Sequence, residues 1–252
     1  MGETRRLSAT RMSRPGHALL FLAATALAGV DAAAAPATGA TVQGVVVPPP
    51  RVVAPPTENL GFLDPIENPL AGLRQVDPLP EIFIYFEPEG GGAPPEEWTK
   101  PLAGSVAWNL GSTFAAPVLP VVIGSAVKIV NNSRETHLLY SPDAPDVIPR
   151  DPLGPATSRD VPLGAQSTPL RVRSRSVPHV TGSIIPLPSR LYARVDRNGR
   201  FRLDSVPTGR WVAKVWYRNG WLVVPKLSPF EVAGKTVDLK IELPDPLVPA
   251  GK

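Results

Sequence analysis

The sequence predicts an all-β protein, a Greek-key sandwich or barrel with proline-rich loops. Three observations predict it. Proline occupies 33 of 252 positions, about 13% where roughly 5% is usual. Proline is barred from helix interiors and central strands, so the chain needs short strands and long loops. Several stretches alternate apolar and polar residues with period two, and no stretch beyond the N-terminal segment carries an amphipathic helix of three turns.

Residues 1–35 are expected to be an export signal. Arg5, Arg6, Arg11 and Arg14 form a positive region, and Ala18 to Val30 is a short apolar run. That run suits the core of a signal peptide and is too short to span a bilayer comfortably. The small residues Ala32 to Ala35 suit a peptidase, and Met12 is an alternative start. An uncleaved anchor is the competing reading. The chain has no cysteine, so it has neither disulfides nor a lipidation site. Removing four Arg and two acids with the signal leaves 22 basic and 20 acidic residues from the 26 and 22 of the whole chain. A net charge near +2 is no nucleic-acid footprint.

The first expected strand is Thr41 to Val47, stopped by Pro48-Pro49-Pro50. Residues 51–80 show no sustained period and read as an extended loop, lying on the surface or partly disordered. Glu81 to Glu87 is apolar on both faces and is expected to be central in a sheet. Further strands are expected at Gly104 to Leu110, Val118 to Ile123 (with Phe114 before it) and Ala126 to Asn132. Ser141 to Gln166 is expected to be a long loop. In Pro169 to Val177, Leu170, Val172, Ser174 and Ser176 face one way and Arg171, Arg173 and Arg175 the other. Leu191 to Val195 and Phe201 to Leu203 flank Asn198-Gly199, the strongest short hairpin signal. Arg210 to Tyr217 and Val237 to Leu243 complete the strands, and Pro244 onward is a tail.

Little in this inventory can do catalytic chemistry. Beyond the signal the only histidines are His137 and His179. A Ser-His-Asp set would need one of them. There is no nucleophile elbow, no phosphate loop and no zinc-helix motif. The carboxylate pairs Glu96-Glu97 and Asp143 with Asp146 lie in proline-rich stretches and read as solvated charge. Asn131-Asn132-Ser133 is an N-glycosylation acceptor pattern. Trp211, Trp216, Tyr217 and Trp221 cluster near the C-terminal strands. Trp211 and Tyr217 share one strand face, which leaves Trp216 on the other. Trp216, Trp221 and Arg218 are therefore the candidate surface contacts.

Residues 104–217 resemble the cupredoxin (plastocyanin-like, methylamine-utilisation-like) family. Gly124 to Asn132 leads to His137-Leu138-Leu139-Tyr140-Ser141, as that family's strand and turn lead to a copper-ligating His. Phe114 with Val118 to Val121 is similar to the strand before it. The family's Cys-x-x-His-Pro-x-Met loop is matched in frame by Ser174-Arg175-Ser176-Val177-Pro178-His179-Val180. The resemblance implies that the thiolate position is Ser174, the second imidazole position Val177 and the thioether position Val180. Only His137 keeps a ligand type. A blue-copper site needs two imidazoles and a thiolate, so no metal and no cofactor is expected; a weak copper site on His137 and His179 is the alternative.

Asp196, Gly199, Phe201, Val206, Pro207, Gly209 and Trp211 are similar to the carboxypeptidase regulatory-like (transthyretin-like) sandwich. The segments 36–103, 104–190 and 191–243 are accordingly read as N-terminal strands of a sandwich, a cupredoxin-like domain and a regulatory-like segment, with 244–252 as tail. The expected protein is a periplasmic or secreted binding or structural module, not an enzyme. Its partner is expected to be a protein or glycan of the cell envelope, with no nucleic acid and no membrane span after signal removal. A copper-binding or electron-transfer protein is the alternative.

Overall fold

In the computed structural model the described residues are 39–50, 52, 75–101 and 103–249. The export signal at 1–35 and most of the loop at 51–80 lie outside them. The chain runs β1 (Ala40–Val47), β2 (Ile82–Pro88), α1 (Glu96–Thr99), β3 (Ser105–Leu110), β4 (Val118–Val122), β5 (Ala126–Asn131) and β6 (Leu139–Tyr140). It continues through β7 (Ser158–Pro162), β8 (Leu170–Ser174), β9 (Thr181–Leu187), β10 (Tyr192–Arg194), β11 (Arg200–Val206) and β12 (Gly209–Tyr217). The last strands are β13 (Gly220–Leu222), β14 (Phe230–Val232) and β15 (Val237–Glu242). The protein is all-β, as its proline content and period-two segments require. No helix among the described residues is long and apolar enough to cross a membrane.

The strands form two pairs of sheets. In the first pair, β11-β1-β15 faces β10-β2-β12-β13, with β14 also on β12. Val42 and Val46 of β1, Ile84 and Phe86 of β2, and Trp211 and Val215 of β12 share their core. In the second pair, β3-β5-β7 faces β4-β9-β8-β6. Trp108, Ile129, Val172 and Ile184 share that core. Every strand of the second pair lies between β2 and β10 in sequence. The segments 36–103 and 191–243 thus contribute to the same two sheets.

β2 shows why the pattern takes this form. It is buried from Ile82 to Phe86. Ile82, Ile84 and Phe86 point into the first core. Phe83 and Tyr85 point the other way, onto Val118 of β4, Ile185 and Leu187 of β9, and Trp216 of β12. A strand apolar on both faces is stable only when both faces are covered, and here the second pair of sheets covers the outer one.

Three expectations are corrected. The Asn198-Gly199 turn forms: Asp196 Oδ1 accepts from the Asn198 and Arg200 amides at 2.8 and 2.7 Å. Gly199 takes φ +77°. Yet its flanking strands do not pair as a hairpin. β10 joins β2, and β11 joins β1. Turn chemistry fixes the chain reversal, while β1 and β2 supply the edges on which the two strands pair. Second, the loop expected at Ser141 to Gln166 contains β7, which adds to β5. Only Val161 is buried in it, too weak a signal for a period-two reading. Third, β9 is a central strand where no strand is expected. Gly182 lets it lie against the stacked Trp108 and Phe114 rings, whose centroids are 3.7 Å apart.

Candidate functional site

The site is built where β5 ends. Asn131 is fully buried. Its Nδ2 donates to the carbonyls of Glu135, Leu153 and Gly154 at 2.8, 3.0 and 2.9 Å. Its Oδ1 accepts from Ser133 N at 2.9 Å and from Ser133 Oγ at 2.7 Å. One side chain thereby ties the 132–137 turn to the Leu153–Gly154 segment and gives the Ser133 amide its acceptor. The acceptor pattern Asn131-Asn132-Ser133 is therefore closed: its asparagine nitrogen is committed inside the protein.

The turn delivers His137 into the interior, where it is 1% exposed. Its backbone pairs with Leu153 in both directions. Nε2 lies 2.9 Å from Ser133 Oγ, and Nδ1 lies 3.2 Å from Ser174 Oγ. Ser174 Oγ is in turn 3.1 Å from Ser176 Oγ, which donates to the Thr136 carbonyl at 2.8 Å. The amides of Leu138 and Val177 donate to Ser176 Oγ and Ser174 Oγ. Ser174 is buried, so the inward serine of β8 has a polar partner and is not a flaw in the core.

The hydrogens of this chain can be counted. Ser133 to Asn131, Ser133 to Glu135, Ser133 to His137, His137 to Ser174, Ser174 to Ser176 and Ser176 to Thr136 make six contacts. Three hydroxyls and one N–H of a neutral imidazole supply four hydrogens. An imidazolium would supply a fifth. Burial opposes it and holds the His137 pKa below its ordinary value; Glu135 pulls the other way, and His179 adds to the lowering. The neutral ring is the form burial favours, and it leaves the network short of hydrogens.

The other expected site residues fall elsewhere. His179 is exposed, and its Nε2 donates to the Ser112 carbonyl at 3.2 Å. Val177 and Val180 belong to the second apolar core. Among the described residues no group of three or more His, Asp or Glu is placed to hold a metal. Of the candidate contacts Trp216, Trp221 and Arg218, the first needs correction. Trp216 is 4% exposed and stacks on Phe83 at 5.9 Å. Trp221 is half-buried and meets Trp216 edge-on at 5.0 Å. Arg218 pairs with Glu81 at 2.5 Å and sits over Tyr217. The strand face opposite the first core looked solvent-facing in the sequence, but β4 and β9 cover it. Of the carboxylates, Glu96 pairs with Lys100 on the surface, and Asp143 holds Arg171 through both oxygens.

Sequence reasoning missed a cleft of about 480 Å³ next to His137, lined by Leu138 to Pro142, Pro145, Arg150 and Arg175. The backbone ties it to the histidine network, since Arg175 N donates to the Leu138 carbonyl at 2.9 Å. The Arg175 guanidinium sits over the Tyr140 ring, 4.8 Å from its centroid. The signal for it was the outward alternation of arginines on β8.

No family model and no curated protein matches the chain. Among solved structures it is similar to a purple cupredoxin from Nitrosopumilus maritimus, 11% identical, covering 33% of this chain and 100% of that one, with a TM-score of 0.30. It is also similar to an amicyanin variant in its reduced state, 17% identical, covering 35% of this chain and 93% of that one, TM-score 0.27. An amicyanin variant in a Cu(I) form matches at 15% identity over 35% and 93%, TM-score 0.28. These structural neighbours are cupredoxins, and the likeness extends over about a third of the chain.

Proposed function

We propose that this protein is an exported, non-catalytic β-module of the periplasm or cell envelope that works by binding a protein or glycan partner. In this reading its cupredoxin-like sheets hold no working type-1 copper centre, and the β1/β2/β10–β15 sheets form a carboxypeptidase regulatory-like support. The observation that carries the proposal is the state of His137. Both ring nitrogens are engaged by serine hydroxyls. Type-1 copper asks for a thiolate, a second imidazole and a weak axial ligand around the first imidazole. The positions that the resemblance assigns to them carry Ser174, Val177 and Val180. A neutral hydroxyl and two buried valines do not fit the ion.

Titration of the purified protein with Cu(II) tests this reading. The expected result is no thiolate-to-copper absorption band and an unchanged melting temperature. A visible band, or a rise in melting temperature that saturates at one equivalent, would overturn the proposal in favour of a copper protein.

A further inference from the structure

The cleft beside His137 has a chemistry of its own. Leu138, Pro142 and Pro145 give it an apolar wall, and Tyr140 contributes a half-exposed ring. Arg175 is exposed, and among the described residues its side chain has no ion pair; its ring contact is with Tyr140. Arg150, on the same cleft, meets Asp146 at 3.6 Å with both side chains more than four-fifths exposed. So loose a surface pair contributes little and is easily exchanged. The cleft thus presents one guanidinium steadied on a π face and a second that can be recruited.

A guanidinium offers a planar fork of N–H donors that matches a carboxylate in two-point geometry. Stacking on Tyr140 occupies one face of that plane and leaves its edges available. The volume of about 480 Å³ lies within the roughly 300–1,000 Å³ of small-molecule sites. A neutral sugar would leave the guanidinium uncompensated. A uronate would satisfy it but would set hydroxyls against leucine and proline, where they lose water without gaining partners. Resting on the binding-module reading above, we infer that this cleft takes a small organic carboxylate on an aromatic or aliphatic body. The carboxylate meets Arg175, with Arg150 as second donor, and the body lies on Leu138, Tyr140 and the prolines.

The test is an NMR titration of the purified protein with benzoate, benzamide and glucuronate as probes. Benzoate should bind saturably, with amide shifts centred on residues 138–142 and 175. Benzamide and glucuronate should each bind at least tenfold more weakly. Arg175→Gln should lose at least tenfold in benzoate affinity with its melting temperature retained, and Arg150→Gln should lose less. Absence of saturable benzoate binding, equal binding of benzamide, tighter binding of glucuronate, or an unaffected Arg175→Gln variant would each overturn the inference. The two proposals fail separately. A negative benzoate titration with a negative Cu(II) titration removes the ligand class and leaves the module reading standing. A copper band removes the module reading whatever benzoate does.

Discussion

The Nδ1 of His137 lies 3.2 Å from the Oγ of Ser174, and both atoms are out of contact with bulk water. The relationship sets a pH dependence. Burial lowers the His137 pKa from its ordinary value near 6.5. Below about 6.5 the unfolded chain binds a proton that the folded chain resists, so stability rises with pH in this window. The His137 contribution is therefore present in full above pH 6.5 and is lost as pH falls through the folded value. Melting curves from pH 8 to pH 5 should show a falling transition temperature. His137→Gln should flatten the part of the slope that lies just below pH 6.5. A wild-type curve that instead gains stability as pH falls across this window would mean that the imidazolium, which supplies a fifth hydrogen to the network, is the native form.

Asn131 gives a second prediction. Its side chain holds one carbonyl and one amide of the turn that carries His137, and reaches the Leu153 and Gly154 carbonyls beside it. Asn131→Ala would strip the Ser133 amide of its acceptor and remove one donor from the Glu135, Leu153 and Gly154 carbonyls, which keep Ser133 Oγ, His137 N and Thr157, a loss of roughly 1–3 kcal/mol. Asn132→Ala, at an exposed neighbour, should cost under about 0.5 kcal/mol. Denaturant unfolding of the two variants separates them. The same burial predicts that folded protein made in a glycosylating host carries no glycan at Asn131, which intact mass would show.

How much of this could be read from residues alone differs by feature. β2 was legible because its apolar side chains declare both faces, and β12 and β15 because their alternation is regular. His137 and Ser174 were legible as positions of a motif. Their hydrogen bonds were not, because Ser133 and Ser174 are 41 residues apart in sequence and only the fold brings them to one ring. β7 was hidden because an edge strand needs few apolar residues: Ser-Arg-Asp-Val-Pro has one. The position of Trp216 was misjudged for a related reason. Period two says that it opposes Trp211, but not whether its own side meets water or another sheet.

Gly182 provides a test of packing in β9. A Cβ built there would stand 2.6 Å from the Trp108 ring and 2.8 Å from Phe114. Trp108 is anchored by its Nε1 to the Ala116 carbonyl at 2.8 Å and cannot easily withdraw. Gly182→Ala should therefore cost about 1–3 kcal/mol through overpacking. A fall in the urea midpoint with an unchanged slope would confirm an effect on the folded state. Tryptophan fluorescence of the native variant should shift as the Trp108–Phe114 stack opens. A midpoint equal to wild type would show that the ring pair yields freely.

Trp216 decides between two roles for the aromatic cluster. As a surface contact it would be dispensable for folding, and Trp216→Ala would change stability by no more than about 0.5 kcal/mol. In the structure it fills the layer between β2 and the β4/β9 sheet, with Phe83 on one side and Trp221 edge-on. Its Nε1 donates to the Arg218 carbonyl at 3.0 Å, steadying a residue at φ +52°. Truncation there should cost about 3–5 kcal/mol, a drop on the order of 10 °C in melting temperature for a chain of this size. Trp221→Ala, half-buried at the rim, should cost less. Benzoate binding at the Arg175 cleft should survive in either variant that remains folded, because neither tryptophan lines it. A wild-type melt for Trp216→Ala would return the cluster to the surface and reopen it as a contact site.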